Sequence, residues 1–352
     1  MVSMSVPQVM EAEIMIHQRL FSLLRFAIGS ELEENPMRLF QEMTESDWEE
    51  VYHLARKQTV TGLVFHALTL SPEKPPGLSS KMLYRWALEA ERLEKRSRIV
   101  FRFAEELLYR LESAGLRPLV MKGPSVAAYY PKPLLRESGD IDLYVSQNEI
   151  SAALECLHQM GYSFSESADG GYYVTGGSVD IDLHDKYFDL HVKDELLPPV
   201  PSPQAELMML SSHILKHAMG PGVGLRQICD LALAYKALEG MYEKRQLVLL
   251  FKRYGLDRWN RLLCSFMKAR LGMDAQLYST DVRWNSLEMI VFGGGNFGHY
   301  SASRNRSLGA GSRRRKLDTV FRFVRHAPWG LHYAPKEYFC YMWDLAQGNL
   351  AG

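Results

Sequence analysis

Two short stretches share one alternation: Asp140-Ile141-Asp142-Leu143-Tyr144-Val145 and Val179-Asp180-Ile181-Asp182-Leu183-His184. They constrain this chain more than any other feature. Period-two alternation marks a strand with one face in a core and the other face polar. In the first stretch Ile141, Leu143 and Val145 point inward, and Asp140 and Asp142 project together. In the second, the polar side carries Asp180, Asp182 and His184. The flanking sequence is helical in period, so the expected class is α+β: a small mixed sheet between N-terminal and C-terminal helical regions.

Residues 1–115 read as helical. Ile14, Leu20, Leu23, Leu24 and Ala27 share one face of a helix over 8–28, and Asp47 is placed to cap a helix through 48–58. The stretch at 73–77 is a loop, and a long helix from about Ser80 to Ala114 stops at Gly115. The texture changes at 116. Residues 117–123 form a short buried strand ending in a glycine turn, and 124–130 a short helix. An amphipathic helix covers 148–160, and 171–177 with 179–188 form a hairpin around Gly176-Gly177. A proline-rich boundary at 196–203 precedes helices over 205–219, 225–239 and onward. The expected units are therefore 1–115, a core at 116–200, and 201–352, with a Gly-, Ser- and Arg-rich loop at 292–316 and an aromatic-rich helical end.

With 47% hydrophobic and 23% charged residues, the chain can bury a substantial core. Lys+Arg and Asp+Glu both number 41, so bulk charge does not point to nucleic acid. No apolar run reaches the ~18–20 residues of a membrane span. The N-terminal stretch carries Glu11 and Glu13 and has no basic leader region, which reads as a helix rather than a signal peptide. Cys156, Cys229, Cys264 and Cys340 form no CxxC pair, so buried free thiols in the cytoplasm are expected.

An isolated Asp-x-Asp is most simply a solvated strand face, but here its neighbours change the reading. Two carboxylates on adjacent positions of one face suit a hard cation such as Mg²⁺. Upstream, Met121-Lys122-Gly123-Pro124-Ser125 closes a buried strand and opens a helix, where backbone N–H groups can approach an anion. Adjacent strands lie ~4.8 Å apart, so a carboxylate of the second stretch can join the first pair. Three carboxylates beside a phosphate-binding turn suit metal-assisted phosphoryl or nucleotidyl transfer.

The segment from Leu119 to Val145, LVMKGPSVAAYYPKPLLRESGDIDLYV, resembles the signature of the DNA polymerase beta-like nucleotidyltransferase superfamily. With the later Asp182-Leu183-His184, and with His213, His217, Arg226 and Asp230, it is similar to a bacterial group of uncharacterised nucleotidyltransferases. The resemblance implies Mg²⁺ (or Mn²⁺) on Asp140, Asp142 and Asp182, and an NTP on Lys122, Gly123, Ser125 and Arg136. It departs from the superfamily at Pro124, where Gly or Ser is usual. Asp182 is the best match for the third carboxylate, with Asp180 on the same face as the alternative. The implied reaction moves a nucleoside monophosphate to a small molecule, an RNA end or a protein side chain, releasing pyrophosphate. The competing class is a non-catalytic module that senses nucleotide or binds protein.

Other features carry plainer readings. Lys122 neutralises phosphate or is a surface lysine, and Arg136 does so or pairs with a nearby acid. His184 contacts metal, nucleotide or acceptor, or hydrogen-bonds within its strand face. His213 and His217, at i and i+4, are structural or substrate-facing rather than zinc ligands; Arg226 and Asp230 are spaced to pair. The glycines at 293–298 lack a P-loop context, and Arg313–Lys316, with Arg304 and Arg306, reads as a solvated run that could meet RNA phosphates. Trp329, Tyr333, Tyr338 and Phe339 read as core.

Overall fold

The computed structural model describes residues 6–30, 40–71, 73–167, 171–191, 197–220, 222–294, 324 and 327–347. Helices α1 (Val6–Ala27), α2 (Glu45–Lys57), α3 (Thr61–Leu70) and α4 (Ser80–Ser113) come first. Thr44, not Asp47, is the N-cap of α2. Its hydroxyl accepts the Asp47 N–H at 3.3 Å, and the Thr44 N–H donates back to Asp47 Oδ2 at 2.8 Å. Asp47 is thus the far half of a capping box. Ser79 caps α4, which ends at Ala114 before a left-handed Gly115.

The centre of the chain builds β1 (Leu119–Val120), α5 (Pro124–Ala127), a 3-10 turn (Pro133–Leu135), β2 (Ile141–Tyr144), α6 (Ile150–Gln159), β3 (Ser163–Glu166), β4 (Tyr172–Thr175) and β5 (Ile181–His184). The sheet order is β1-β2-β5-β4-β3. Only β2 and β5 run parallel; β1 is antiparallel to β2, β4 to β5, and β3 to β4. The expected hairpin is the β4–β5 pair. Strand β3 was not expected, because all four of its residues are exposed. An edge strand with no buried face carries no alternation to read.

The C-terminal helices are α7 (Pro203–Met219), α8 (Leu225–Ala237), α9 (Lys244–Arg253), α10 (Asp257–Phe266), α11 (Asn285–Gly294), α12 (Ala327–Tyr333) and α13 (Pro335–Gln347). Phe292, Gly293 and Gly294 end a helix rather than open a loop. The rest of the glycine stretch, Arg304, Arg306 and the Arg313–Lys316 run lie outside the described residues. Tyr338 is buried as expected, but Phe339 is exposed and Trp329 and Tyr333 are only partly buried. Cys229 and Cys264 are buried and Cys156 and Cys340 half-buried; all four thiols are free. No helix among the described residues is long and apolar enough to cross a membrane.

Two apolar cores share one helix. Leu20 and Leu24 of α1, Trp48 of α2 and Val64 of α3 pack with Leu215, Ile228 and Trp259 of the C-terminal helices, and Met82 and Trp86 of α4 join them. Farther along α4, Val100, Ala104, Leu107 and Leu111 lie against Ile141, Leu143, Ile181 and Leu183 of the sheet and Ala153 and Leu157 of α6. At 34 residues, α4 is about 50 Å long and can serve both. Between the cores, α3 approaches the 3-10 turn so closely that a Cβ on Gly62 would sit 1.9 Å from the Leu135 carbonyl oxygen. Gln58, fully buried, accepts the Leu225 N–H at 2.9 Å and donates to the Val291 carbonyl at 3.0 Å, tying α2 to α8 and α11.

The segment ahead of β2 is fastened by charge. Arg136 and Asp230 are each 5% exposed and bind bidentately, Nε to Oδ1 at 2.8 Å and Nη2 to Oδ2 at 2.7 Å. Tyr130 donates to Oδ1 at 2.6 Å, and Arg136 Nη1 donates to Ser138 Oγ at 2.7 Å. At the other end, His191 sits between Glu337 and Asp344 of α13, at 2.8 and 2.7 Å, and the Tyr341 hydroxyl donates to the Asp189 carbonyl at 3.0 Å. Burial pushes the His191 pKa down, but the hydrogen bonds to Glu337 and Asp344 outweigh it and the net shift is upward.

Two outcomes follow from these fastenings. Arg136→Met strands a buried carboxylate and should cost about 3–5 kcal/mol in chemical denaturation. Adding Asp230→Leu should recover much of that loss, and a double variant no more stable than the single one would contradict the strut. His191, with a folded pKa above its ordinary 6.5, contributes fully below that value, and its contribution is lost as pH rises through the folded pKa. The melting temperature should therefore fall between about pH 6 and 8, and fall less in His191→Gln. Equal slopes in the two proteins would refute this.

Candidate active site

The tripeptide Ile-Asp-Leu occurs in both β2 and β5, and the parallel ladder sets the two copies in register. Ile141 pairs Ile181, Asp142 pairs Asp182, and Leu143 pairs Leu183. The isoleucines and leucines are fully buried on the α4 side, so the aspartates emerge side by side on the opposite face. His184 lies two residues beyond Asp182 on that face; its Nε2 is 3.4 Å from Asp142 Oδ1 and 3.6 Å from Asp182 Oδ2. Asp142, Asp182 and His184 each offer a ligand atom within 4.8 Å of the others. Asp140, just before β2, lines the same cavity but stands outside that close set. Asp180 is turned away, accepting the Tyr173 hydroxyl at 2.9 Å.

Strand β1 delivers the cation. The Met121 N–H donates to the Asp142 carbonyl at 2.9 Å, which extends the β1–β2 pairing by one bond. The next residue, Lys122, places Nζ 2.7 Å from Asp142 Oδ1. Gly123 then turns the chain with φ 67° and ψ −115°, a conformation that only glycine adopts without strain. Pro124 occupies the first position of α5, where its fixed φ suits a helix start but supplies no N–H donor. The turn therefore has one amide fewer than the family signature would provide. Ser125 faces back, its hydroxyl 3.4 Å from the Lys122 carbonyl. Arg136 reaches the cavity floor with its guanidinium committed to Asp230 and Ser138.

Arg96 of α4 bridges the leading ends of both carboxylate strands, donating to the Gly139 carbonyl at 2.7 Å and the Ser178 carbonyl at 3.1 Å. The opposite wall comes from the segment after β5 and from α7 and α8. Asp189 Oδ2 lies 2.9 Å from His213 Nδ1, Asp189 Oδ1 accepts Lys216 at 2.8 Å, and the His213 and His217 Nε2 atoms are 3.1 Å apart. Arg226 donates to the Glu137 carbonyl at 2.6 Å. The cavity so enclosed measures about 260 Å³ and includes Lys122, Gly123, Asp140, Asp142, Asp182 and His184.

Opposed charges set the proton affinities. Burial raises the Asp142 pKa, but Lys122 and then His184 outweigh it and hold the carboxyl well below its ordinary range. Asp140 is pushed up, by desolvation and by the charge of Asp142. Burial lowers His184, yet its hydrogen bond to Asp142 carries it above the usual imidazole value. His213 is lowered by burial and by Lys122. Two carboxylates on a rigid sheet, with room for water and phosphate oxygens, fit a hard divalent cation. The imidazole beside them can orient Asp142 by hydrogen bonding.

The structure thus brings Lys122, Gly123, Asp140, Asp142, Asp182 and Arg136 to one cavity and leaves Ser125 and Asp180 facing other partners. Sequence reasoning missed Asp189, Lys216 and Arg96, which no local pattern marks. The His213/His217 and Arg226/Asp230 spacings were the visible signs of the far wall.

Neither the curated proteins nor the solved structures compared with the chain gave a match. A family pattern does match, over residues 44–272, and that span contains every cavity residue named above. It runs from the cap of α2 through the sheet to the turn after α10, more than half of the chain, and its description is uncharacterised nucleotidyltransferase. Paired strand carboxylates, a lysine at their side and a glycine turn in one cavity agree with that description, and the chain belongs to this nucleotidyltransferase family.

Proposed function

We propose that this protein transfers a nucleoside monophosphate from an NTP to a hydroxyl or phosphate of an acceptor, releasing pyrophosphate, with Mg²⁺ or Mn²⁺ as cofactor. The observation that carries this reading is the register of Asp142 against Asp182 within one cavity that also holds Lys122 and Gly123. Asp142 and Asp182 would hold the cation, with Asp140 joining from the mouth. A bound divalent ion would supply charge neutralisation for the phosphates and polarise the reacting oxygens.

The chain's own groups define the rest of the chemistry. Gly123 leaves the turn without a side chain on the cavity side, so phosphate oxygens can come close to the backbone. Lys122 supplies positive charge next to them. Asp182 or Asp140 would take the proton from an acceptor hydroxyl. Arg96 keeps the two carboxylate strands level, and the Arg136–Asp230 pair holds the floor. The cavity is lined by both charge signs, which favours a polar acceptor of either a small molecule or a polymer end.

Transfer is tested by incubating the protein with each labelled NTP, Mg²⁺ or Mn²⁺ and fractionated acceptors. Label in one fraction that disappears in Asp142→Asn supports the reading, and absence of label from every fraction counts against it. Asp142→Asn and Asp182→Asn should each lower turnover by ~10²-fold or more, while Asp180→Asn, facing Tyr173, should lower it far less. An Asp180 effect larger than that of Asp182 would reassign the third carboxylate.

Gly123→Ala tests the turn. A Cβ would have space, its nearest neighbour being the Asp140 carbonyl oxygen at 3.5 Å. The backbone conformation, not crowding, is what alanine cannot adopt freely, so stability should fall by about 1–3 kcal/mol. Nucleotide affinity should fall with it, as the turn relaxes. Full stability with unchanged NTP affinity would show that the turn conformation is not needed.

A further inference from the structure

We infer that Lys122 is an internal counter-ion that occupies the carboxylate site while no metal is present and moves to the nucleotide phosphates when a divalent cation arrives. This rests on the metal-site reading above and says what the site does before it is loaded. The same Asp142 oxygen, Oδ1, meets the Lys122 ammonium at 2.7 Å and the His184 ring at 3.4 Å. The ammonium therefore abuts the set of atoms that would enclose an ion, Asp142, Asp182 and His184. Its side chain is 12% exposed, so solvent screens it little.

An ammonium and a divalent cation on one carboxylate oxygen repel each other, and more strongly where solvent screens little, so the arrival of the ion favours departure of the ammonium. Without either, Asp142 would be a largely buried charge left with only the weaker compensation of His184, a costly state. Lys122 solves the second problem and creates the first. Its backbone cannot move to make room, because Met121 on one side is bonded into the sheet and Gly123 on the other is locked in its turn. The four-carbon side chain can. Nζ already stands 3.3 Å from His213 Nδ1, across from Asp142. A short swing carries it away from Oδ1 into the cavity above the Gly123 turn.

A single substitution at Lys122 should therefore move metal and nucleotide affinities in opposite directions. The test is Mn²⁺ titration of the full-length protein by calorimetry in the absence of nucleotide. Lys122→Met should bind Mn²⁺ at least ~10-fold more tightly than the unaltered protein. Lys216→Met, which removes an equal charge from the far wall, should change Mn²⁺ affinity by less than ~3-fold. At saturating Mn²⁺, Lys122→Met should bind a non-hydrolysable ATP analogue ~10-fold or more weakly. Unchanged or weaker Mn²⁺ binding by Lys122→Met overturns the inference, as does a Lys216→Met effect of equal size. Asp142→Asn separates the two levels: if it binds Mn²⁺ as well as the unaltered protein does, the metal-site reading itself fails. A crystal of the unaltered protein with Mn²⁺ avoids any folding defect of the variants. Lys122 Nζ should have left Asp142 Oδ1, and an intact contact with Mn²⁺ bound refutes the exchange.

Discussion

The buried pair of Arg136 with Asp230 is the constraint on which the geometry of this protein rests. It joins a helix of the C-terminal region to the stretch between the Gly123 turn and the first carboxylate strand. Both ions are removed from water, and each is satisfied several times over: by the other, by Tyr130 and by Ser138. A buried pair of this kind adds little net stability compared with an apolar substitute, but losing either partner is costly, which holds both segments together. Arg136 stands four residues before Asp140, so the pair fixes how the chain enters β2. Gly62 closes the other side, since only a glycine lets α3 lie against the backbone of the same stretch.

From that anchor the site follows by sheet geometry. A parallel pair sets equivalent positions of neighbouring strands side by side, so two copies of Ile-Asp-Leu bury their apolar residues together and raise their aspartates together. Like charges so placed repel, and the protein answers with Lys122 from the next strand and His184 from the same one. The far wall repeats the pattern with Asp189 between His213 and Lys216. The cavity is thus a field of compensated charges rather than an apolar pocket, which suits the nucleotide and cation of the proposed reaction.

Much of the fold was legible before the structure. The alternation at 140–145 and 179–184 identified the two carboxylate strands, and helical periodicity with Gly115 marked where the long helix ends. What escaped did so for separate physical reasons. Strand β3 has no buried face, so nothing in Ser163–Glu166 alternates. Thr44 was overlooked for Asp47 because a capping box involves two residues, and only the acidic one stood out. Arg226 and Asp230 are spaced to meet on one helix, yet the strongest partner of Asp230 comes from 94 residues away. Asp189 had no local signal at all.

By itself the sequence determined which residues could not avoid the core and which could not enter it: Ile141 and Leu143 on one face, Asp142 on the other. It also determined where the backbone needs glycine, at 123, and hence where the chain can turn beside those carboxylates. Tertiary structure decided which charges meet. It chose Asp182 over Asp180 as the neighbour of Asp142, because the parallel register aligns one and turns the other toward Tyr173. It gave Arg136 to Asp230, and it brought His213 and Asp189 within reach of Lys122. Burial follows from local pattern because side-chain direction repeats along a strand or helix. Pairing of charges does not, because it depends on which distant segments the packed cores hold a few ångströms apart.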